Sequence, residues 1–220
     1  GRGEYVADVQ IPGMVEAAFL RSHIAHGHLK SIDLESVREA PGVLFAGSHV
    51  DLAGIVRYPD YVVYQHPVKQ SPLAETRVRY VGTPVAVVVA RDRYEAEDAL
   101  ELADLDYEEL PPVTSIGEAL AENAPLLFED WGTNLILDFP AQDNRVDELI
   151  AEGPVVRDTY RMQRQSPCPM ETRGVVAEFR RGRLTVWSSQ QSPHILRTTI
   201  SEVLDIPESK IKVIYPKFPS

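Results

Sequence analysis

The sequence predicts an α+β fold organised as two units. In the first half a strand, a helix and a second strand follow one another between residues 77 and 110, an order typical of a helix packed on a sheet. Near the carboxyl end a strand pair precedes an amphipathic helix. The 17 prolines divide the chain into short elements, which fits a mixed α and β chain better than a helical bundle. A hydrophobic content of 44% is sufficient for a real core.

Turn residues and hydrophobic spacing predict the elements of the first unit. Its strands are expected at 15–20, 29–33, 43–46, 77–80, 85–90 and 105–110. The apolar run 85–90 is expected to be buried on both faces. A short helix at 34–40 ends at Pro41-Gly42, and a second helix carries Ala96, Ala99, Leu100 and Ala103 on one face. Residues 51–74, which contain three prolines, are predicted to be a long connection.

The second unit is predicted to follow a linker over 113–142 that contains a short helix at 115–122. Its helices are expected at 145–150 and from Pro193 onward, and its strands at 155–162, 174–180, 184–188 and 211–215. Arg181-Gly182-Arg183 predicts a hairpin. Ser192 before Pro193 is a favourable start for a helix whose apolar stripe contains Leu196 and Ile200. The predicted boundaries are 1–112, 113–142 and 143–220.

Charge and cysteine content limit the class of protein. The formal net charge is -11, and nine acidic residues lie between Asp92 and Glu109 with only Arg93 to balance them, which argues against a nucleic-acid partner. Cys168 is the sole cysteine, so this chain can form no internal disulfide and no cysteine-ligated zinc or iron–sulfur site. No apolar run is long enough to span a membrane and no signal peptide is evident, so we expect a cytoplasmic protein.

A histidine group near the amino terminus is the first candidate site. His23, His26 and His28 lie close in sequence, but in a strand His26 and His28 share a face that His23 does not. No acidic residue falls between them to complete a set of metal ligands. We therefore expect a structural or interface role and no metal site.

Two polar segments are the other candidates. Glu171 and Arg173 stand two positions apart before a strand, where they form either a structural ion pair or a support for a nearby site. Residues 188–194 join the end of a strand to the start of a helix, a place where free N–H groups accumulate. That junction either binds an anion or a metal oxo group, or consists of a helix cap and surface glutamines.

Seven segments together, in order and nearly from end to end, resemble the start of the molybdopterin-binding large subunit of the xanthine dehydrogenase/aldehyde oxidase family, aerobic carbon monoxide dehydrogenases included. They are GRGEYVAD (1–8) with PGM (12–14), RSHIAH (21–26), VRYVGTPVAVV (78–88), YEAEDA (94–99), DYEELP (106–111), PMETR (169–173) and WSSQQSPH (187–194). Each segment alone is weak evidence, and their common order makes the resemblance specific.

The resemblance implies an a/b hammerhead domain over 1–112 and an incomplete α+β molybdopterin-binding domain over 143–220. It implies a molybdenum–molybdopterin cofactor, with iron–sulfur clusters and FAD on partner subunits only, and water as the source of oxygen. The family glutamine that hydrogen-bonds a molybdenum oxo ligand corresponds to Gln191, and Gln190 is its neighbour. The substrate stays open among carbon monoxide, an aldehyde, a purine and another N-heterocycle.

Two family features have no counterpart here. The glycine-rich loop expected after the strand at 211–215 and the distal glutamate that acts as general base are both missing from the sequence. We therefore expect a fragment or a split subunit that is inactive alone. Its site would be completed by the remaining large-subunit segments or by a second molybdopterin-binding chain. The alternative is a non-catalytic assembly module that docks partner subunits through its acidic and histidine-bearing surfaces.

Overall fold

Three three-stranded sheets and six α-helices make up the described part of the chain, which confirms the α+β fold class. The computed structural model describes residues 3–54, 66, 71–138 and 144–215. The strands are β1 (Glu16–Arg21), β2 (Gly27–Asp33), β3 (Val43–Ser48), β4 (Arg77–Val78), β5 (Pro84–Ala90), β6 (Asp104–Glu109), β7 (Val175–Arg180), β8 (Arg183–Ser188) and β9 (Ile211–Ile214). The helices are α1 (Glu35–Arg38), α2 (His49–Leu52), α3 (Arg93–Leu100), α4 (Ile116–Ala119), α5 (Asn144–Glu152) and α6 (Pro193–Leu204).

The first sheet has the antiparallel order β1-β5-β3, with the apolar strand β5 in the centre. Ala86, Val88 and Ala90 are fully buried on one face of β5, as predicted. On the other face Val85 is fully buried, whereas Val87 and Val89 are only partly covered. Helix α3 lies over the sheet through the small side chains of Ala96 and Ala99, because alanines allow a helix to approach closely.

The second sheet, β4-β2-β6, contributes to a second core cluster. The buried members of this cluster are Ile24, Leu29, Ala74, Val78 and Val85. Leu20 and Ile32 pack against this cluster and also against the first one, so the two cores of the first unit are continuous. A Cβ on Gly27 would lie 2.8 Å from the carbonyl oxygen of Glu108, so the β2–β6 pairing requires glycine at this position.

Residues 126–131, within the predicted linker, contact the first unit closely. Arg79 donates to the carbonyl of Leu127 at 2.7 Å, and its guanidinium lies 4.1 Å from the ring centroid of Phe128. Arg77 donates to the carbonyl of Leu126 and pairs with Glu129 at 3.1 Å. Trp131 stacks on Phe128 with ring centroids 4.0 Å apart. The two arginines of β4 and its flank therefore fix this segment by charge and stacking.

The third sheet, β7-β8-β9, combines an antiparallel hairpin with a parallel pair. The predicted hairpin is confirmed: Arg181 and Gly182 have φ values of 52° and 73°, the left-handed conformations that a two-residue hairpin turn requires. Helix α6 covers the sheet with Leu196 and Ile200, which pack on the buried cluster of Leu184, Val186 and Ile211.

The prediction of a strand at 155–162 is wrong. These residues form no helix or strand, and Val156, Tyr160 and Met162 are 94%, 87% and 85% exposed. An extended segment becomes a strand only when another strand accepts its backbone hydrogen bonds, and within the described residues this segment pairs with none. Its apolar composition therefore misled the prediction.

The remaining differences concern boundaries. The strand predicted at 77–80 is limited to Arg77–Val78, and the helix predicted at 115–122 to Ile116–Ala119. The connection predicted at 51–74 includes the end of α2, and most of its other residues lie outside the described part of the chain. Among the described residues no helix has the length and apolar character needed to cross a membrane.

Candidate functional site

Ser189 joins the two polar segments that the sequence singled out. Its hydroxyl accepts from the backbone N–H of Gly174 at 3.0 Å and donates to the carbonyl of Thr172 at 3.2 Å. Its own N–H donates to the carbonyl of Gly174 at 3.3 Å. The two segments meet because β7 and β8 are antiparallel, with Val175 opposite Ser188, so the residues before β7 lie beside those after β8.

Glu171 links this junction to the amino-terminal segment. Its Oε1 accepts a hydrogen bond from the backbone N–H of Val6 at 2.9 Å, across 165 positions of sequence. Its Oε2 is buried without a hydrogen-bond partner. Arg173 is exposed, and the described residues contain no ion pair between it and Glu171. The structure therefore brings Glu171 to the site loop but does not pair it with Arg173.

A cleft of about 420 Å³ lies between the amino-terminal segment and the residues around Glu171. Asp8, Glu16 and Glu171 are its charged residues, and it has no lysine or arginine. The remaining lining residues are Tyr5, Val6, Ala7, Val9, Gln10, Met14, Met170, Thr172, Gly174, Val175 and Val176. Gln191 does not line this cleft, so the cleft is a neighbour of the candidate loop and not the same site.

The two adjacent glutamines have different environments. The side-chain amide of Gln190 donates to the carbonyl of Ser192 at 2.7 Å and accepts from its N–H at 3.1 Å. Gln191 is exposed, and its side chain forms no hydrogen bond with any residue in the described ranges. One amide is therefore bound to the local backbone, while the other is available to a ligand.

The start of α6 is open. Pro193 occupies the first turn as predicted, and Ser192 stands at the N-cap position but makes no side-chain capping hydrogen bond. The first-turn N–H groups and the positive end of the helix dipole thus lie next to the exposed amide of Gln191. Neutral donors at a positive helix end can bind an anionic or oxo group.

The three histidines have separate protein environments. His26 is 3% exposed; its Nδ1 lies 2.8 Å from the carbonyl of Pro111, and its Nε2 accepts from Arg77 at 3.1 Å. His23 packs edge-on against Tyr107, and His28 lies opposite Glu108 in the β2–β6 pair. Within the described ranges, no three His, Cys, Asp or Glu side chains are grouped closely enough to hold a metal ion.

Two family profiles match the chain. Residues 1–111 match the aldehyde oxidase and xanthine dehydrogenase a/b hammerhead domain, and residues 127–218 match the molybdopterin cofactor-binding domain. The chain belongs to the xanthine dehydrogenase/aldehyde oxidase family. The molybdopterin-binding part of the family fold therefore contains Gln191, Glu171 and the open end of α6.

Individual members of the xanthine dehydrogenase family align over nearly the whole chain. The carbon monoxide dehydrogenase large chain of Afipia carboxidovorans is 37% identical over 98% of this chain and 28% of its own length. The nicotine 6-hydroxylase large subunit of Paenarthrobacter nicotinovorans is 34% identical over 98% of this chain and 27% of its own. This chain thus spans somewhat more than a quarter of these relatives.

Solved structures agree with the same assignment. Quinoline 2-oxidoreductase from Pseudomonas putida superposes with a TM-score of 0.89 at 34% identity, over 100% of this chain and 28% of that one. Carbon monoxide dehydrogenase from Oligotropha carboxidovorans superposes with a TM-score of 0.88, also at 34% identity and over 29% of its own length. The hammerhead fold and the partial molybdopterin-binding fold are shared with these enzymes.

The contacts of Ser189 and Val6 were not predicted from the sequence. Ser189 stood in the quoted motif, but only the antiparallel register of β7 and β8 shows which backbone groups its hydroxyl reaches. The Val6–Glu171 contact joins residues that are 165 positions apart in the sequence. No local spacing in a single sequence indicates such a contact.

Proposed function

We propose that this chain contributes the Gln191 amide and the start of α6 to the molybdenum–molybdopterin site of a multi-subunit hydroxylase. The observation that carries the proposal is the exposed, unbonded Gln191 side chain beside a helix start without a side-chain cap. Both groups offer hydrogen-bond donors without a compensating negative charge, which fits an oxo ligand on an anionic cofactor.

Gln191 would orient the cofactor by a side-chain N–H, and the hydrogen bonds of Ser189 to Thr172 and Gly174 would fix the backbone that leads to it. The bound molybdenum centre supplies the oxidation of a small substrate with oxygen from water. Iron–sulfur and FAD partner subunits would carry the electrons away. The names of relatives support this class of reaction, since they include a carbon monoxide dehydrogenase and a nicotine hydroxylase.

We propose that this chain supplies only some of the residues of the complete site. We place the hammerhead domain at 1–112, the linker at 113–142 and the start of the molybdopterin-binding domain at 143–220. The glycine-rich loop and the general base of the family would come from further large-subunit segments or from a second molybdopterin-binding chain. The share of the relatives that is covered, 28% for carbon monoxide dehydrogenase, supports this view.

The direct test is Gln191→Ala in the assembled enzyme that carries this chain. Loss of one preorganised donor to the reacting centre is expected to lower kcat by about a hundredfold. Gln163→Ala is the matched control, because Gln163 is an exposed glutamine in the segment without secondary structure and should leave kcat unchanged. Equal turnover of the Gln191→Ala and unmodified enzymes would remove the proposed role.

A non-catalytic assembly module is the second candidate, and exposed apolar side chains favour it. Val146 and Leu149 on α5 are 50% and 66% exposed, and Val156 and Tyr160 follow in an uncovered segment. Such a concentration of exposed apolar groups is typical of a docking surface. The Gln191→Ala experiment separates the candidates, since an assembly module needs no donor at this position.

A further inference from the structure

We infer that Gln190 is a positioning residue that holds Gln191 in its exposed orientation, an inference that rests on the proposed function of Gln191. The Gln190 side chain extends past Gln191 and hydrogen-bonds both the carbonyl and the N–H of Ser192. Residue 191 is thus enclosed in a ring closed by two hydrogen bonds. Because both ends of its amide bond Ser192, Gln190 acts on the cofactor site through its neighbour.

Only a side-chain amide fits this geometry. The Ser192 carbonyl requires a donor at 2.7 Å and the Ser192 N–H requires an acceptor at 3.1 Å, and one amide supplies both. A carboxylate of the same length would accept from the N–H but face the carbonyl without a proton. An asparagine side chain is one methylene shorter and would not reach both groups of Ser192. The chemistry of both partners also determines which end of the amide is nitrogen.

The backbone on either side of Gln191 is fixed by two neighbours of different kinds. On the amino-terminal side Ser189 is bonded to Thr172 and Gly174. On the carboxyl-terminal side Ser192 is bonded to Gln190 and accepts the first hydrogen bond of α6 from Leu196. A free surface glutamine loses rotamer and backbone freedom when it binds a ligand, and prior fixation of the backbone lowers that cost.

The hydrogen bonds of Ser192 provide a readout that does not depend on activity. In the full chain, Gln190→Met keeps side-chain length but removes both hydrogen bonds, and exchange of the Ser192 amide hydrogen is expected to become about tenfold faster. The control Gln163→Met makes the same change at an exposed glutamine. It should leave Ser192 exchange unchanged. Exchange that is equally slow in Gln190→Met overturns the inference.

A double-mutant cycle in the assembled enzyme tests whether Gln190 acts through Gln191. Gln190→Met is expected to lower kcat about tenfold, since loss of preorganisation misplaces the donor. Added to Gln191→Ala, the same change should alter kcat by less than about twofold. Additive losses would assign Gln190 a structural role instead.

An unchanged kcat in Gln190→Met, with kcat lowered in Gln191→Ala, overturns the positioning role alone. An unchanged kcat in Gln191→Ala overturns the proposed function as well.

Discussion

The two halves of the chain differ in how far they complete their own cores. In the first half, five leucine and valine side chains that are at most 3% exposed belong to two clusters that join: Leu34, Val37, Val78, Val85 and Val88. In the second half a single cluster contains Leu184, Val186 and Ile211. The hammerhead half has the packing of an independent domain, whereas the molybdopterin-binding half has only part of one.

Large apolar side chains are exposed in both halves, but the most exposed of them lie in the second half. Met170 is 99% exposed, and Val175 and Phe179 of β7 are 66% and 67% exposed. Side chains of this size usually contribute to a core or to an interface. The hammerhead half is therefore a stable base for a candidate site whose own surroundings are only partly packed.

The largest effect is expected from a cavity in the first core. Leu34→Ala should lower the free energy of unfolding of the hammerhead half by about 2–5 kcal/mol, because the buried leucine leaves a space that neighbours fill only partly. Urea unfolding is followed by Trp131 fluorescence in a Trp187→Phe background. Trp131 reports on this half because it stacks on Phe128, which in turn lies against Arg79 of the first unit. Leu44→Ala is the control, because Leu44 is 61% exposed. Similar costs for both variants would contradict a complete first core.

The second largest effect is expected in the rates at which trypsin cleaves the two halves during limited proteolysis. Arg157, Arg161 and Arg164 lie in the exposed segment without helix or strand, whereas Lys30 and Arg38 lie in elements of the first unit. Cleavage at the first group is expected to be about a hundredfold faster, since the other sites require local unfolding. Mass spectrometry of early fragments identifies the order. Equal rates at both groups would show that the halves are equally protected.

The sequence predicted the hammerhead half more accurately than the rest, for a physical reason. Its strands and helix alternate on short turns, so hydrophobic spacing alone indicates β5 and α3. The segment at 155–162 contains strand-forming residues such as Val155, Val156 and Tyr160 but has no pairing partner among the described residues, and composition cannot show whether a partner exists. The family motif indicated Gln191 as a candidate, whereas the hydrogen bonds of Ser189 and Gln190 depend on three-dimensional register.

The contact between the halves through Glu171 should have an intermediate effect. Glu171→Ala removes the acceptor for the Val6 N–H, and a hydrogen bond to a charged group contributes about 1.5–3 kcal/mol. Hydrogen exchange at Val6 is expected to accelerate while exchange in β5 stays unchanged. Arg173→Ala is the matched control, because this neighbouring side chain is exposed and unpaired with Glu171. Faster exchange at Val6 in both variants would argue that the loop as a whole, and not the carboxylate, maintains the contact.

The smallest effect is expected between the halves, at the start of α4. Hydrogen bonds from the hydroxyl and N–H of Thr114 and from Ser115 hold the pKa of the Glu118 carboxyl below its usual range. A lowered folded-state pKa stabilises the charged form, so this contribution is present above the ordinary glutamate pKa and is lost as the pH falls through the lowered value. Because Glu118 is exposed, solvent screens the effect. An NMR titration should give Glu118 a midpoint below the usual glutamate value. After correction for the intrinsic exchange rate, Glu118→Gln should remove the pH dependence of Ser115 amide protection without changing protection at Val6 or in β5. A midpoint at the usual glutamate value would mean that the cap forms too rarely to order the segment between the two halves.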